Sequence, residues 1–257
     1  MLGHRARKRF GQNFLADAHY AERIVDAVAP RPGDNLVEIG PGLGALTHRL
    51  IGRAARITAI EIDRDLAARL RATYGPDQLV LHEGDALAFD YAALGGDLRV
   101  VGNLPYNISS PLLFHLANFD RQLRDIHVML QREVVMRIAA APDTPEYGRL
   151  SVMLQAKFSV TRLFIIPPGA FQPVPKVDSA FVRLVPLGAA KPAIADEPMF
   201  ARVVAAAFGQ RRKTLRNALA SLCDAEAMRD AGIDPGVRGE TLSVADFVRL
   251  ADALASR

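Results

Sequence analysis

From residue 35 to 141 this chain alternates short apolar runs with amphipathic stretches, and that rhythm limits the folds open to it. Asn35–Ile39, Arg56–Glu61, Leu79–His82, Leu98–Val101 and Ile126–Leu130 read as strands, being short runs rich in β-branched and aliphatic residues. Between them, stretches opening at Ala45, Leu66, Pro111 and Val134 carry helical spacing. Such alternation predicts an α/β fold, a parallel sheet with helices on both faces. After Pro142 the rhythm changes. Leu150–Ala156 predicts a helix, and Phe158–Thr161 and Phe181–Val185 predict strands. The Pro-rich link between those two strands is too short for a helical crossover. An antiparallel pair at the end of the sheet is therefore expected.

The segment Pro186–Pro192 is a candidate boundary, dividing the chain into residues 1–188 and a small all-helical domain, 189–257. Within the second part Phe200–Phe208, Thr214–Leu222, Ala225–Ala231 and Val244–Leu254 read as helices, and Ser243 with Asp246 reads as a helix start. A length of 257 residues, half of them hydrophobic, suits one large domain or one domain plus a small one. Cys223 is the single cysteine, which excludes an internal disulfide, and no Cys/His cluster has the spacing of metal ligands. No metal is expected. No apolar run is long enough to span a bilayer, and the basic N-terminus lacks the apolar segment of a secretory signal. A transit peptide is the weaker reading of that terminus, and a cytoplasmic protein without a membrane partner is the expectation.

The net charge of +4 is modest but unevenly placed. Arg5, Arg7, Lys8 and Arg9 form one basic cluster, and Arg211, Arg212, Lys213 and Arg216 another. A single such cluster is usually a solvated surface. Two of them beside a nucleoside-type pocket favour a polyanion partner.

That pocket is read from four strand ends. Glu38-Ile39-Gly40-Pro41-Gly42-Leu43-Gly44 closes the first strand and opens a helix. Its glycine spacing departs from the dinucleotide fingerprint, and a phosphate loop with Lys and Ser/Thr is absent. The second strand ends in Glu61, about 20 residues on, where a carboxylate can accept both hydroxyls of a ribose. The third is followed by Asp85, which can accept from an adenine amino group. Each acid alone also suits a helix N-terminus. Asn103-Leu104-Pro105-Tyr106-Asn107 follows the Leu98–Val101 strand. It combines an amide, a Pro-fixed turn and an aromatic ring, which suits an exocyclic amine on a planar ring. Asn and Pro also favour ordinary turns, so this loop alone leaves a plain strand-to-helix connection open. Taken together, the residues fit S-adenosylmethionine better than NAD, since the donor has no pyrophosphate to cradle and its sulfonium favours acidic surroundings.

With these residues in hand, the chain resembles the ribosomal RNA adenine N6-dimethyltransferase family. The segments that carry the resemblance are Arg7–Leu15, Val37–Gly44, Asn103–Ser109, Tyr147–Val152, Phe171–Ser179, Phe208–Thr214 and Gly232–Pro235. The resemblance spans nearly the whole chain and is strongest toward the bacterial branch acting on small-subunit rRNA. It implies a Rossmann-like class I methyltransferase sheet followed by the helical domain. It implies that Asn13, Leu15, Gly40, Glu61, Asp85 and Asn103 line the S-adenosylmethionine site. Asn103, Leu104 and Pro105 would hold the target amine, with Tyr106 and Phe171 stacking on an extruded adenine. The implied reaction is N6,N6-dimethylation of two adjacent adenosines near the 3′ end of 16S rRNA, within the immature 30S subunit, by a monomer. Arg5, Arg7, Lys8, Arg9, Arg211, Arg212 and Lys213 would contact RNA.

Three other readings compete. One is the related class that dimethylates large-subunit rRNA, which the Leu104 form of the loop and the Phe208–Thr214 and Gly232–Pro235 segments disfavour. A nucleic-acid binder that has kept the fold without catalysis is disfavoured by the intact acids. A nicotinamide dehydrogenase is disfavoured by the glycine spacing.

Overall fold

The structure, a computed structural model, describes residues 11–54 and 56–256. Arg5, Arg7, Lys8 and Arg9 lie outside the described residues. The elements run β1 (Phe14–Leu15), α1 (Ala18–Val28), β2 (Asn35–Ile39), α2 (Thr47–Ile51), β3 (Ile57–Glu61), α3 (Arg64–Thr73) and β4 (Leu79–Glu83). They continue with β5 (Leu98–Asn103), α4 (Ser109–Leu116), β6 (Leu123–Gln131), α5 (Arg132–Ile138), α6 (Arg149–Gln155), β7 (Phe158–Ile166), β8 (Phe171–Gln172) and β9 (Ser179–Pro186). The last are α7 (Glu197–Gly209), α8 (Leu215–Ala218), α9 (Ala225–Asp230) and α10 (Val244–Ala255).

Among the described residues seven strands form one mixed sheet in the order β4-β3-β2-β5-β6-β9-β7. β2, β3, β4, β5 and β6 run parallel to one another, and β9 runs antiparallel to β6. This is the architecture of a class I methyltransferase. Central parallel strands are covered on both faces, so they need continuous apolar runs; Leu98-Arg99-Val100-Val101-Gly102 is buried throughout. The one charge in that run, Arg99, is met by Asp125 at 3.0 and 3.1 Å, by Asp34 at 2.7 Å and by the Val28 carbonyl at 2.7 Å. At Gly102 the strands come so close that an added Cβ would lie 2.5 Å from the Ile39 carbonyl. Strand order reverses between β2 and β5, which makes their carboxyl ends a topological switch point, where open α/β sheets bind ligands.

The chain divides into two compact units, residues up to Val135 with Val160–Pro186, and Met136–Ser159 with Leu187 onward. The first is built on Ile24, Val25, Leu36, Leu50, Ile57, Val101 and Phe181. In the second, Tyr147, Val152 and Ala156 share a core with Phe200, Val203, Leu215, Met228 and Phe247. Residues 136–159 thus pack with the helical segment from which the sequence reading had separated them. Tyr147 shows why: its ring is fully buried there and its hydroxyl donates to the Leu242 carbonyl at 2.9 Å. Helical spacing across Thr214–Leu222 yields only the short α8. The N-terminal box of α10 forms as expected, with Asp246 N–H donating to Ser243 at 3.2 Å and Ser243 N–H to Asp246 at 2.8 Å. Among the described residues no helix is long and apolar enough to cross a membrane.

Candidate active site

A cavity of about 320 Å³ opens at the switch point, walled by the ends of β2, β3 and β5, by residues 11–15, and by Gly84 and Ala86 after β4. The turn after β2 forms because Gly40, Gly42 and Gly44 all take positive φ, at 66°, 59° and 86°. A side chain is strained in that region. Gly42 is also crowded, since a Cβ there would lie 3.1 Å from the Phe14 ring.

Glu61 ends β3 and holds this turn in place. One carboxylate oxygen accepts the Gly42 N–H at 3.0 Å and the other the Asp63 N–H at 2.9 Å. Burial raises its pKa, and those two backbone bonds oppose the rise. With about four acceptor sites, the carboxylate keeps capacity for a ligand hydroxyl. Gln12 reaches over the same corner, its side-chain amide donating to Asp63 at 3.2 Å.

Glu38, one residue before the end of β2, also lies on the wall, a role the turn motif alone does not assign to it. It is 2% exposed, and burial pushes its carboxyl up to about 8, with the nearby Glu61 charge adding to the rise. Among the described residues its Oε2 has no hydrogen-bond partner. The available signal was an acid inside an apolar strand immediately before the glycine turn, a position where a charge is costly unless something answers it.

Asn103 ends β5 on the facing wall. Its Nδ2 donates to the Asn13 carbonyl at 2.8 Å. The NH2 end of the amide is thereby committed and Oδ1 is the end left to accept. The Leu104 N–H donates to the Met129 carbonyl at 3.2 Å, which ties the loop to β6. The Pro105 carbonyl accepts from Ile108 N–H and Ser109 Oγ, both at 3.1 Å, and so closes the turn. Tyr106 lies on the wall with its hydroxyl 2.6 Å from Ser179 Oγ.

Asn13, Leu15, Gly40, Glu61, Asn103, Leu104, Pro105 and Tyr106 therefore share one cavity wall. Asp85 does not join them. It is exposed, and one carboxylate oxygen accepts the Leu87 N–H at 2.9 Å, leaving Gly84 and Ala86 as the wall at that strand end. Phe171 does not join them either. β8 pairs antiparallel with β1, Leu15 opposite Phe171, and the Phe171 ring is buried in the core with Ile166, Ala170 and Phe181. Among the described residues the aromatic members of the wall are Phe14 and Tyr106. In the second unit Arg211 is engaged internally, its Nε donating to Glu240 at 2.9 Å and its Nη2 to the Pro145 carbonyl. Arg212 and Lys213 are exposed.

The buried Glu61 carboxyl, apolar walls and no cationic side chain among the described lining residues suit a small cationic ligand and not a phosphate. These residues fit S-adenosylmethionine.

Comparison with known proteins agrees with that geometry. A family model described as ribosomal RNA adenine dimethylase matches residues 3–256. A ribosomal RNA small subunit methyltransferase A from Aromatoleum aromaticum is 59% identical over all of this chain and 97% of that protein. One from Thiobacillus denitrificans is 56% identical over 99% of this chain and the whole of that protein. Among solved structures, the 23S rRNA methyltransferase ErmE matches with a TM-score of 0.71 at 27% identity, covering 95% of this chain and all of that one. A dimethyladenosine transferase from Plasmodium falciparum has a similar fold, with a TM-score of 0.77 at 24% identity over 92% of this chain and 95% of that one. A match over nearly the whole length, on a chain whose switch-point cavity carries the Glu61 and Asn103 corners, places this protein in the ribosomal RNA adenine dimethylase family.

Proposed function

We propose that this chain dimethylates N6 of two adjacent adenosines near the 3′ end of 16S rRNA, acting on the immature 30S subunit. The observation that carries the reading is the Asn103 amide on the cavity wall, whose Nδ2 is committed to the Asn13 carbonyl and whose Oδ1 is the end left to accept. The identity of the small-subunit relatives favours 16S over 23S rRNA as substrate.

The N6 lone pair of adenine is delocalised into its ring and is a poor nucleophile. The bound donor supplies an electrophilic methyl on a sulfonium. The protein's work is then orientation, and well-oriented reactants can gain about 7–11 kcal/mol. Asn103 Oδ1 and the Leu104 carbonyl accept the two N–H groups of the amine. That geometry lets the nitrogen pyramidalise and direct its lone pair at the methyl, a stabilisation realised in the transition state. The Pro105 carbonyl cannot serve, being occupied by Ile108 and Ser109. No base is required before transfer, because the proton leaves afterwards from a far more acidic ammonium. The target base must first leave its stack, at a cost of a few kcal/mol, and stacking on Tyr106 recovers roughly 1–3 kcal/mol.

The reading gives residues 189–257 the task of holding rRNA, through Arg212 and Lys213 together with Arg5, Arg7, Lys8 and Arg9. It places the reaction in the cytoplasm, where small subunits assemble. It takes the chain to act as a monomer. The test is incubation with labelled S-adenosylmethionine and either unmethylated 30S subunits or unmodified 23S rRNA, with mapping of the modified bases. Label in 23S rRNA alone would overturn the small-subunit reading.

A further inference from the structure

We infer that Ser179 is a positioning residue for methyl transfer, acting through the Tyr106 hydroxyl to hold the ring against which the target base stacks. The inference rests on the reading that Tyr106 stacks on the adenine. It adds a residue from a different part of the sheet and a consequence for the second methylation.

Ser179 is the first residue of β9 and is fully buried. It sits at the site only because β9 is antiparallel. In a parallel strand the first residue would lie at the opposite edge of the sheet from Asn103. Here Ser179 pairs with Gln131 at the carboxyl end of β6, two residues past Met129, which itself pairs with Asn103. The corner is braced by its neighbours, the Arg132 N–H donating to the Asp178 carbonyl at 2.9 Å and the Arg132 side chain lying 3.6 Å from the Asp178 carboxylate. Against this fixed point the Tyr106 hydroxyl lies 2.6 Å from Ser179 Oγ, within the range of a well-formed O–H···O bond. Tyr106 is thus held at both ends. Its backbone is set by the Pro105 turn, and its ring tip is set by a hydroxyl buried away from water.

Dimethylation makes that restraint matter unequally. The first transfer acts on an amine that offers two N–H groups to Asn103 and Leu104. The second acts on a monomethylated amine that offers one. The hydrogen-bonded hold on the base weakens, and ring stacking carries a larger share of its alignment. Loss of the Ser179 contact therefore slows the second transfer more than the first, and monomethyladenosine accumulates.

The experiment uses the full chain with unmethylated 30S subunits under single-turnover conditions, counting unmodified, monomethylated and dimethylated adenosine by mass spectrometry. The variants are Ser179→Ala, Tyr106→Phe, their double, Ser179→Thr and Tyr106→Ala, with melting curves to verify folding. Ser179→Ala and Tyr106→Phe should each slow the second transfer about three- to tenfold, with a smaller effect on the first. The double variant should be no worse than either single, and Ser179→Thr should restore the wild-type product ratio. If Tyr106→Ala is strongly impaired while Ser179→Ala and Tyr106→Phe give wild-type ratios, the inference falls and the stacking reading stands. If the effect of Ser179→Ala multiplies in the Tyr106→Phe background, Ser179 acts by another route and the inference falls. If Tyr106→Ala turns over normally, the stacking reading itself is wrong. Should Ser179→Ala fail to fold, Tyr106→Phe removes the same bond from the other side, and a wild-type ratio there overturns the proposal.

Discussion

Glu38→Gln tests the buried acid on the cavity wall. Burial, with a contribution from the Glu61 charge, raises the Glu38 carboxyl from an ordinary value of 4.5 to about 8. The folded chain therefore keeps this proton at neutral pH, whereas the unfolded chain releases it near 4.5. Low pH favours the state that binds more protons. The contribution of Glu38 to stability is thus complete below about pH 4.5 and is lost as pH rises toward about 8, beyond which it levels off. At about 1.4 kcal/mol per unit, the loss between pH 5 and pH 8 amounts to roughly 3 kcal/mol. Gln keeps the shape and does not titrate. Urea unfolding of both proteins across that range should show the wild type losing about 3 kcal/mol relative to Glu38→Gln. Taking the difference removes groups common to both, such as Asp125, which Arg99 and His127 hold at about 2 against the opposing effect of its burial. A difference that stays flat from pH 5 to pH 8 would show that Glu38 is ionised in the folded chain and refute the reasoning.

Asn103→Ala removes the oriented acceptor and should abolish single-turnover methyl transfer with the fold intact; a rate near wild type would refute the amine-holding role. Glu61→Ala loses the ligand acceptor and strands the Gly42 and Asp63 N–H groups. S-adenosylmethionine affinity should fall at least about tenfold with RNA binding largely retained, and calorimetry giving a wild-type Kd would rule this out. In the basic cluster the effects should separate. Arg211→Ala breaks the contacts to Glu240 and Pro145 and should lower the melting temperature. Arg212→Ala with Lys213→Ala should instead flatten the salt dependence of log RNA affinity by roughly 0.7–0.9 per lost contact. An unchanged salt slope would make those two side chains an ordinary solvated face.

The residues that reached the cavity as expected are those whose position is set locally. Gly40 follows β2, Glu61 ends β3 and Asn103 ends β5, and each strand was legible because its apolar run is continuous and bounded. A strand end brings its residue to the sheet edge whatever the rest of the chain does. Phe171 and Asp85 were expected at the same site and are not on its wall. Phe171 lies in a two-residue strand, too short to show a period, and its direction is set by pairing with Leu15, 156 positions away in the chain. Asp85 is exposed and gives one carboxylate oxygen to the Leu87 N–H, a bond that motif spacing does not reveal.

The sequence by itself determined the parallel sheet, the glycine turn, the acidic nucleoside-type pocket and the Asn103 loop. Each follows from periodicity or from residue chemistry within a few positions. Only the tertiary structure decided that residues 136–159 share a core with α7 and α10, that Arg211 is spent on Glu240, that Glu38 is buried in the wall and its pKa raised, and that Ser179 meets Tyr106. These depend on which distant segments are brought into contact and on how completely water is excluded there. Burial sets the Glu38 proton, and strand direction brings Ser179 to the site.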